Sequence, residues 1–364
     1  MLKFAASIAC AAALALVSNA SAQTPPPAPA LSPHEADFVV PNFTFRSGER
    51  LPQLRIHYTT FGQPRRDAKG HVTNAVLVLH GTGGTGHSLI RPEFSGVLFT
   101  PGGLLDADKY FIILPDSLGH GGSSKPSDGL HARFPHYDYD DMVQAEYDLA
   151  TLGLGIDRLR LIIGTSMGCM HAFVWGETYP DAMDALMPLA CQVVPLAGRN
   201  RIWRKMAIDA IRADPAWQGG DYTSEPLSGL RTASDLLTIA GSAPLQMQKN
   251  FPTRDQADAW LEARTASDLK SMDANDTIYQ LDASRNYDPS AGLEKIKAPV
   301  MWINSADDFI NPPELGIAQA MAPRIPHGRF VLLPITDQTR GHGTHTIAAV
   351  WKDYLAELLK ESGG

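Results

Sequence analysis

The run Leu159-Arg160-Leu161-Ile162-Ile163 leads straight into Gly164-Thr165-Ser166-Met167-Gly168, and an apolar-periodic segment, Met170 to Tyr179, follows. The first run reads as a buried strand and the last as a helix. Only a tight turn separates them, with a glycine two residues to either side of the serine. In so sharp a reversal, a side chain at Gly164 or Gly168 would strike the neighbouring strand or helix. The serine is expected in a strained conformation that pushes its hydroxyl out of the sheet. The N–H groups after it open a helix, where negative charge is stabilised. Gly-x-Ser-x-Gly also arises by chance, and the flanking strand and helix give it meaning here.

The rest of the chain fits such a unit. Apolar runs alternate with helix-like segments, the pattern of an α/β protein with a mostly parallel central sheet flanked by helices. Phe38 to Phe61 reads as antiparallel edge strands. Ala75-Val76-Leu77-Val78-Leu79 and Tyr110-Phe111-Ile112-Ile113-Leu114 read as central strands. An amphipathic helix is expected over Met142 to Leu154, and a short strand over Ala185 to Leu189. Residues 195–289 lose the strand rhythm and become helical and polar with scattered aromatics. They are read as a helical lid inserted between two parts of one core, 37–194 and 290–364. Strands return at Val300 to Ile303 and Phe330 to Leu333, and a last helix is expected over Thr344 to Leu359.

The first residues differ in kind. Lys3, the apolar stretch Phe4 to Val17 and the small residues Ala20-Ser21-Ala22 make a secretory signal peptide over 1–22, cut before Gln23. The stretch is too short to anchor a protein. Residues 23–36 form a Pro/Ala-rich spacer. The expected destination is therefore the periplasm or the exterior. After cleavage only Cys169 and Cys191 remain, each in an apolar segment. They read as buried free thiols, while an exported setting also permits a disulfide. A net charge of -8 without basic runs gives no reason to expect nucleic acid. No membrane span is expected after the signal, and a homodimer is a possible assembly.

A serine hydroxyl is a poor nucleophile and needs a base, which needs an acid to orient it. Both follow Ser166 in order. Asp307 and Asp308 come after the strand at Val300, and Asp308 precedes Phe309-Ile310-Asn311-Pro312-Pro313, a turn that aims a carboxylate back. Asp308 is the expected acid, with Asp307 capping the turn as the alternative. His342, after Gly341 at a loop tip, is the expected base, and His345, three residues on, is the alternative. A metal held by these two histidines lacks further ligands at motif spacing; no metal or cofactor is expected. The oxyanion donors are expected at the N–H groups of Met167 and of Thr82, in the His80-Gly81-Thr82-Gly83 loop, with Gly83 as the alternative to Thr82 and His80 supporting that loop. Asp116 and His120 are read as turn residues with substrate contact as the alternative, His171 as a structural core residue, and Arg204 as a surface ion-pair partner with an acidic substrate as the alternative. Gly81 to Gly86 also matches the dinucleotide pattern Gly-x-Gly-x-x-Gly, but no helix pattern follows it.

The combination resembles a known family. Asp140-Asp141-Met142-Val143-Gln144-Ala145, Leu152 to Ile156, Ile163 to Met170 and Tyr179-Pro180-Asp181 look like homoserine O-acetyltransferases of the α/β-hydrolase fold. Ala213 to Tyr222, Gly229-Leu230, Met272 to Asn275 and Asp308 to Pro313 extend the likeness. The resemblance implies a serine that forms an acyl-enzyme with Asp308 and His342 as partners. Gly343 stands where that family carries an acid after its base, and an exported chain would not meet acetyl-CoA. Ester hydrolysis of a small-molecule substrate is therefore the expected chemistry, with acyl transfer to a hydroxyl as the runner-up and a non-catalytic binding protein as a third reading.

Overall fold

The computed structural model describes residues 32–363, so the signal segment 1–22 and most of the 23–36 spacer lie outside the described residues. Eight strands form one sheet: β1 (His34–Thr44), β2 (Arg50–Phe61), β3 (Ala75–Leu79), β4 (Phe111–Pro115), β5 (Leu161–Thr165), β6 (Leu186–Leu189), β7 (Val300–Ser305) and β8 (Gly328–Leu333). Their spatial order is β1-β2-β4-β3-β5-β6-β7-β8. β1 pairs antiparallel with β2, and β2 antiparallel with β4; every later pairing is parallel. β1 begins at His34, inside the stretch read as spacer.

Every residue of β3 to β7 is buried, as parallel strands covered on both faces must be. The period-two alternation splits them between two cores. Leu77, Leu79, Ile162 and Trp302 join one, while Val76, Val78, Ile163 and Met187 join the other. Chain progression reverses between β3 and β5, and the loops after these two strands meet there. That is the place where open α/β sheets hold their ligands.

The helices are α1 (Ser95–Leu98), α2 (Tyr139–Asp148), α3 (Met167–Thr178), α4 (Gly198–Ala213), α5 (Leu227–Gly241), α6 (Pro244–Asn250), α7 (Arg254–Asp268), α8 (Ala274–Asp282), α9 (Ile317–Met321) and α10 (Ala348–Glu361). α2 starts earlier than its apolar pattern because Asp138 and Asp141 cap it reciprocally. Its last turn widens to a π-helix over Leu149–Gly153. α3 starts at Met167, directly after the serine, because the turn itself is the first half-turn of helix. α10 starts later than expected, after a separate 3-10 turn at Gly343–Thr346 that contains His345.

α4 to α8 lie between β6 and β7 in sequence and form the inserted helical segment. Its apolar residues Trp203, Ile208, Ile211, Leu230 and Ile278 belong to the same core as β3 and α3. Polar ties add to this: Tyr279 Oη donates to Phe134 O at 2.6 Å, Gln280 Nε2 to Gly119 O at 2.9 Å and Ser127 Oγ to Asp276 Oδ2 at 2.7 Å. No helix among the described residues is long and apolar enough to cross a membrane.

The cysteines correct the free-thiol expectation. Cys169, in the first turn of α3, and Cys191, two residues past β6, are joined as a disulfide with their Cα atoms 5.8 Å apart. β5 and β6 are sheet neighbours, so the segments leaving them run side by side. Linear spacing does not reveal that adjacency.

Candidate active site

Ser166 occupies φ 54°, ψ −108°, a conformation that costs a non-glycine residue energy. The flanking glycines explain how the turn tolerates it. A Cβ on Gly164 would collide with the Gly168 carbonyl, and one on Gly168 would stand 2.6 Å from Leu79 Cβ. Gly168 N–H donates to His80 O at 3.0 Å, tying the opening of α3 to the loop after β3.

His342 Nε2 lies 2.7 Å from Ser166 Oγ, and Nδ1 lies 2.8 Å from Asp308 Oδ2. A carboxylate only accepts, so Nδ1 carries the proton and Nε2 presents its lone pair to the serine hydroxyl. Asp308 is nearly fully buried. Burial alone would push its carboxyl up, but attraction to His342 and hydrogen bonds from His342 and Asn311 outweigh it and hold the group below its ordinary value. Ile310 N–H and Asn311 N–H donate to Oδ1 at 2.8 and 3.2 Å, and Asn311 Nδ2 donates to Oδ2 at 2.9 Å.

The alternatives take other places. Asp307 accepts from Gly341 N–H at 3.0 Å and from Ser305 Oγ, so it braces the histidine loop instead of contacting the imidazole. His345 is half-buried with its Nδ1 enclosed and its ring edge-on to His342, centroids 5.1 Å apart. Burial, with help from the His342 charge, pushes it down to about 3, which keeps it neutral. Met167 directly follows the serine, and Thr82 follows Gly81 in the loop after β3. Gly81 comes so close that a Cβ there would stand 3.7 Å from Ser166 Oγ. Neither the Thr82 nor the Met167 N–H donates to any group among the described residues, so both are free for an oxygen held above the serine.

The description "alpha/beta hydrolase fold" fits residues 74–336 of the chain. A probable acyltransferase of Methanothermobacter thermautotrophicus is 31% identical over 306 residues, 84% of this chain and 91% of that one. A homoserine O-acetyltransferase of Moorella thermoacetica is 30% identical over 358 residues, 86% and 93% of the two chains. The structure of an acetylester hydrolase from Corynebacterium glutamicum superposes with a TM-score of 0.79 at 22% identity, covering 90% of this chain and 96% of that one. The chain belongs to the α/β-hydrolase family. Within that family it is homoserine O-acetyltransferase-like.

The α/β-hydrolase loop after β3 is held from behind. His80 Nε2 accepts from Ser117 N–H at 3.0 Å, so Nδ1 bears the proton and donates to Gly81 O at 2.8 Å. Burial lowers the pKa of His80 and keeps it neutral for this task. Gly81 to Gly86 leads into a single 3-10 turn, Gly86–Leu89, and not into a helix whose N-terminus could face a pyrophosphate. Asp116 accepts from Gly86 N–H and Gly122 N–H at 2.7 and 2.8 Å, a turn role. His120 is buried beside His80. His171 is fully buried and its Nδ1 lies 2.9 Å from Glu146 Oε1, which also accepts from Ser117 Oγ.

Arg204 departs from the surface ion pair expected of it: it is buried and has no carboxylate partner among the described residues. Asn311, Glu146 and Tyr139 were not singled out by sequence reasoning. Asn311 stands three residues after Asp308 between an aliphatic and a proline, and that spacing was its one available signal. Glu146 and Tyr139 lie on a helix whose buried face gives no hint of polar partners. Among the described residues, no three His, Cys, Asp or Glu side chains gather as a metal site.

Proposed function

We propose that this chain is an exported serine hydrolase that cleaves carboxylic esters through an acyl-enzyme. The observation that carries the reading is the Ser166–His342–Asp308 hydrogen-bond chain, at 2.7 and 2.8 Å. Ser166 Oγ attacks the ester carbonyl while His342 Nε2 takes its proton. The oxyanion accepts from the Met167 and Thr82 N–H groups. The intermediate collapses, His342 passes the proton to the departing alcohol, and the acyl group remains on Ser166. Water, deprotonated by the same imidazole, releases the acid. Asp308 keeps the ring in the working tautomer and stabilises its charged form. Export is supported by the signal-like segment ending at Ala22 and by the Cys169–Cys191 disulfide, since such bonds persist in oxidising compartments.

Ser166→Ala is expected to lower kcat on 4-nitrophenyl acetate by on the order of 10⁶-fold. The same change should abolish labelling by a fluorophosphonate. A variant that keeps near-normal turnover would remove Ser166 from the mechanism. Acyl transfer to a hydroxyl acceptor is the second reading, carried by the likeness to acyltransferases. It shares the acyl-enzyme and differs only in what attacks it, so product analysis with an alcohol in excess separates the two.

A further inference from the structure

We propose that Arg204 forms an anion subsite beside the reacting serine, and that the ester this chain takes carries a free carboxylate that pairs with it. The inference rests on the ester-cleaving reading and specifies its substrate.

Arg204 projects from α4 and is 2% exposed. A guanidinium stays ionised in any ordinary surroundings, and buried ones are normally matched by a carboxylate. Here Nε donates to Asn200 Oδ1 at 3.0 Å and the group lies 4.8 Å from the Trp203 ring centroid, both uncharged partners. Nη1 is enclosed with no hydrogen-bond partner. The neighbouring Arg201 pairs with Asp282, and its charge adds to the positive field around Arg204.

Two further enclosed groups lack partners at the same place, Tyr139 Oη and Thr82 Oγ1. The Tyr139 phenol feels Arg204, Thr82 and Ser284 together, which places all three around it. Thr82 follows Gly81, the residue against Ser166. An unbroken path of neighbours therefore joins the nucleophile to the unpaired guanidinium. These groups lie close enough to influence one another, but none of them carries the negative charge that a buried guanidinium calls for. A carboxylate supplies only acceptors, and a guanidinium, a phenol and a threonine hydroxyl supply the donors. A neutral group would leave the guanidinium charge unanswered.

The test uses the full chain and two isosteric ester pairs, followed by pH-stat. Monoethyl succinate against ethyl 4-methylpentanoate places the carboxylate in the acyl part. 3-Acetoxypropanoate against 3-methylbutyl acetate places it in the alcohol part. In one pair the acid is expected to lead by at least tenfold in kcat/KM. Arg204→Gln should cut that ratio by at least tenfold, mainly through KM, and Arg204→Lys should restore part of it. Thermal melts of both variants report folding. Equal or lower kcat/KM for both acids, or a ratio that Arg204→Gln leaves in place, overturns the proposal while ester cleavage stands. If no ester is turned over at all, ester cleavage itself has failed. Calorimetric titration of Ser166→Ala with the same four compounds then decides the subsite, and no binding advantage for either acid overturns it.

Discussion

Asp307 and Asp308 are adjacent and chemically identical, so their different roles come entirely from where the turn after β7 points them. Asp308 faces inward to Asn311 and His342, while Asp307 faces the Gly341 backbone. Replacing each by asparagine separates the roles. Asp308→Asn keeps the shape but favours the wrong imidazole tautomer, and kcat is expected to fall by about 10⁴-fold. Asp307→Asn loses a charge-assisted contact to the histidine loop and should cost far less in kcat, with a lowered melting temperature. Steady-state kinetics beside thermal melts reads both. Equal losses of kcat would mean that Asp307 shares in orienting the base.

At the scale of elements, the helical insert is held to the core by shared apolar packing, and its own helices are tied together by an acid that burial has made weak. Glu225, just before α5, accepts from Ala274 N–H at the start of α8. Burial, reinforced by the Asp273 charge, pushes its carboxyl up to about 7. The folded chain therefore holds a proton there that the unfolded chain releases near its ordinary value. The stability this contributes is complete below the unfolded pKa and is lost as pH rises through about 7. Glu225→Gln keeps the acceptor and removes the charge. It should raise the melting temperature at pH 8 and leave it nearly unchanged at pH 4, measured by circular dichroism. No gain at pH 8 would show that the carboxylate is already well solvated.

At the scale of the whole molecule, the Cys169–Cys191 bond joins α3, which opens directly after Ser166, to the segment after β6. That segment also holds the turn that carries Asp308: Ala190 O and Cys191 O accept from Asn311 Nδ2 and Asn304 Nδ2 at 3.0 Å each. With the cysteines separated by 22 positions along the chain, loop-closure entropy assigns the bond about 3 kcal/mol. Cys169→Ser/Cys191→Ser should lower the urea-unfolding free energy by about that amount. A double variant as stable as the parent would show that packing alone holds these segments.

The sequence by itself determined the local units. Gly164 to Gly168 announced a strained serine between strand and helix, the short continuous apolar runs announced buried strands, and Asp308 and His342 stood in the order the chemistry uses. These were legible because steric crowding and hydrophobic periodicity act between residues close along the chain. Tertiary structure decided the rest. It chose Asp308 over Asp307 for contact with the imidazole, brought Asn311 to the acid, closed the disulfide and buried Arg204 without a counter-charge. Each of these depends on which loops meet above the sheet, or on whether a helix surface ends up under another element. Distance in space and loss of solvent are set by the packed assembly, and no spacing along the chain encodes them locally.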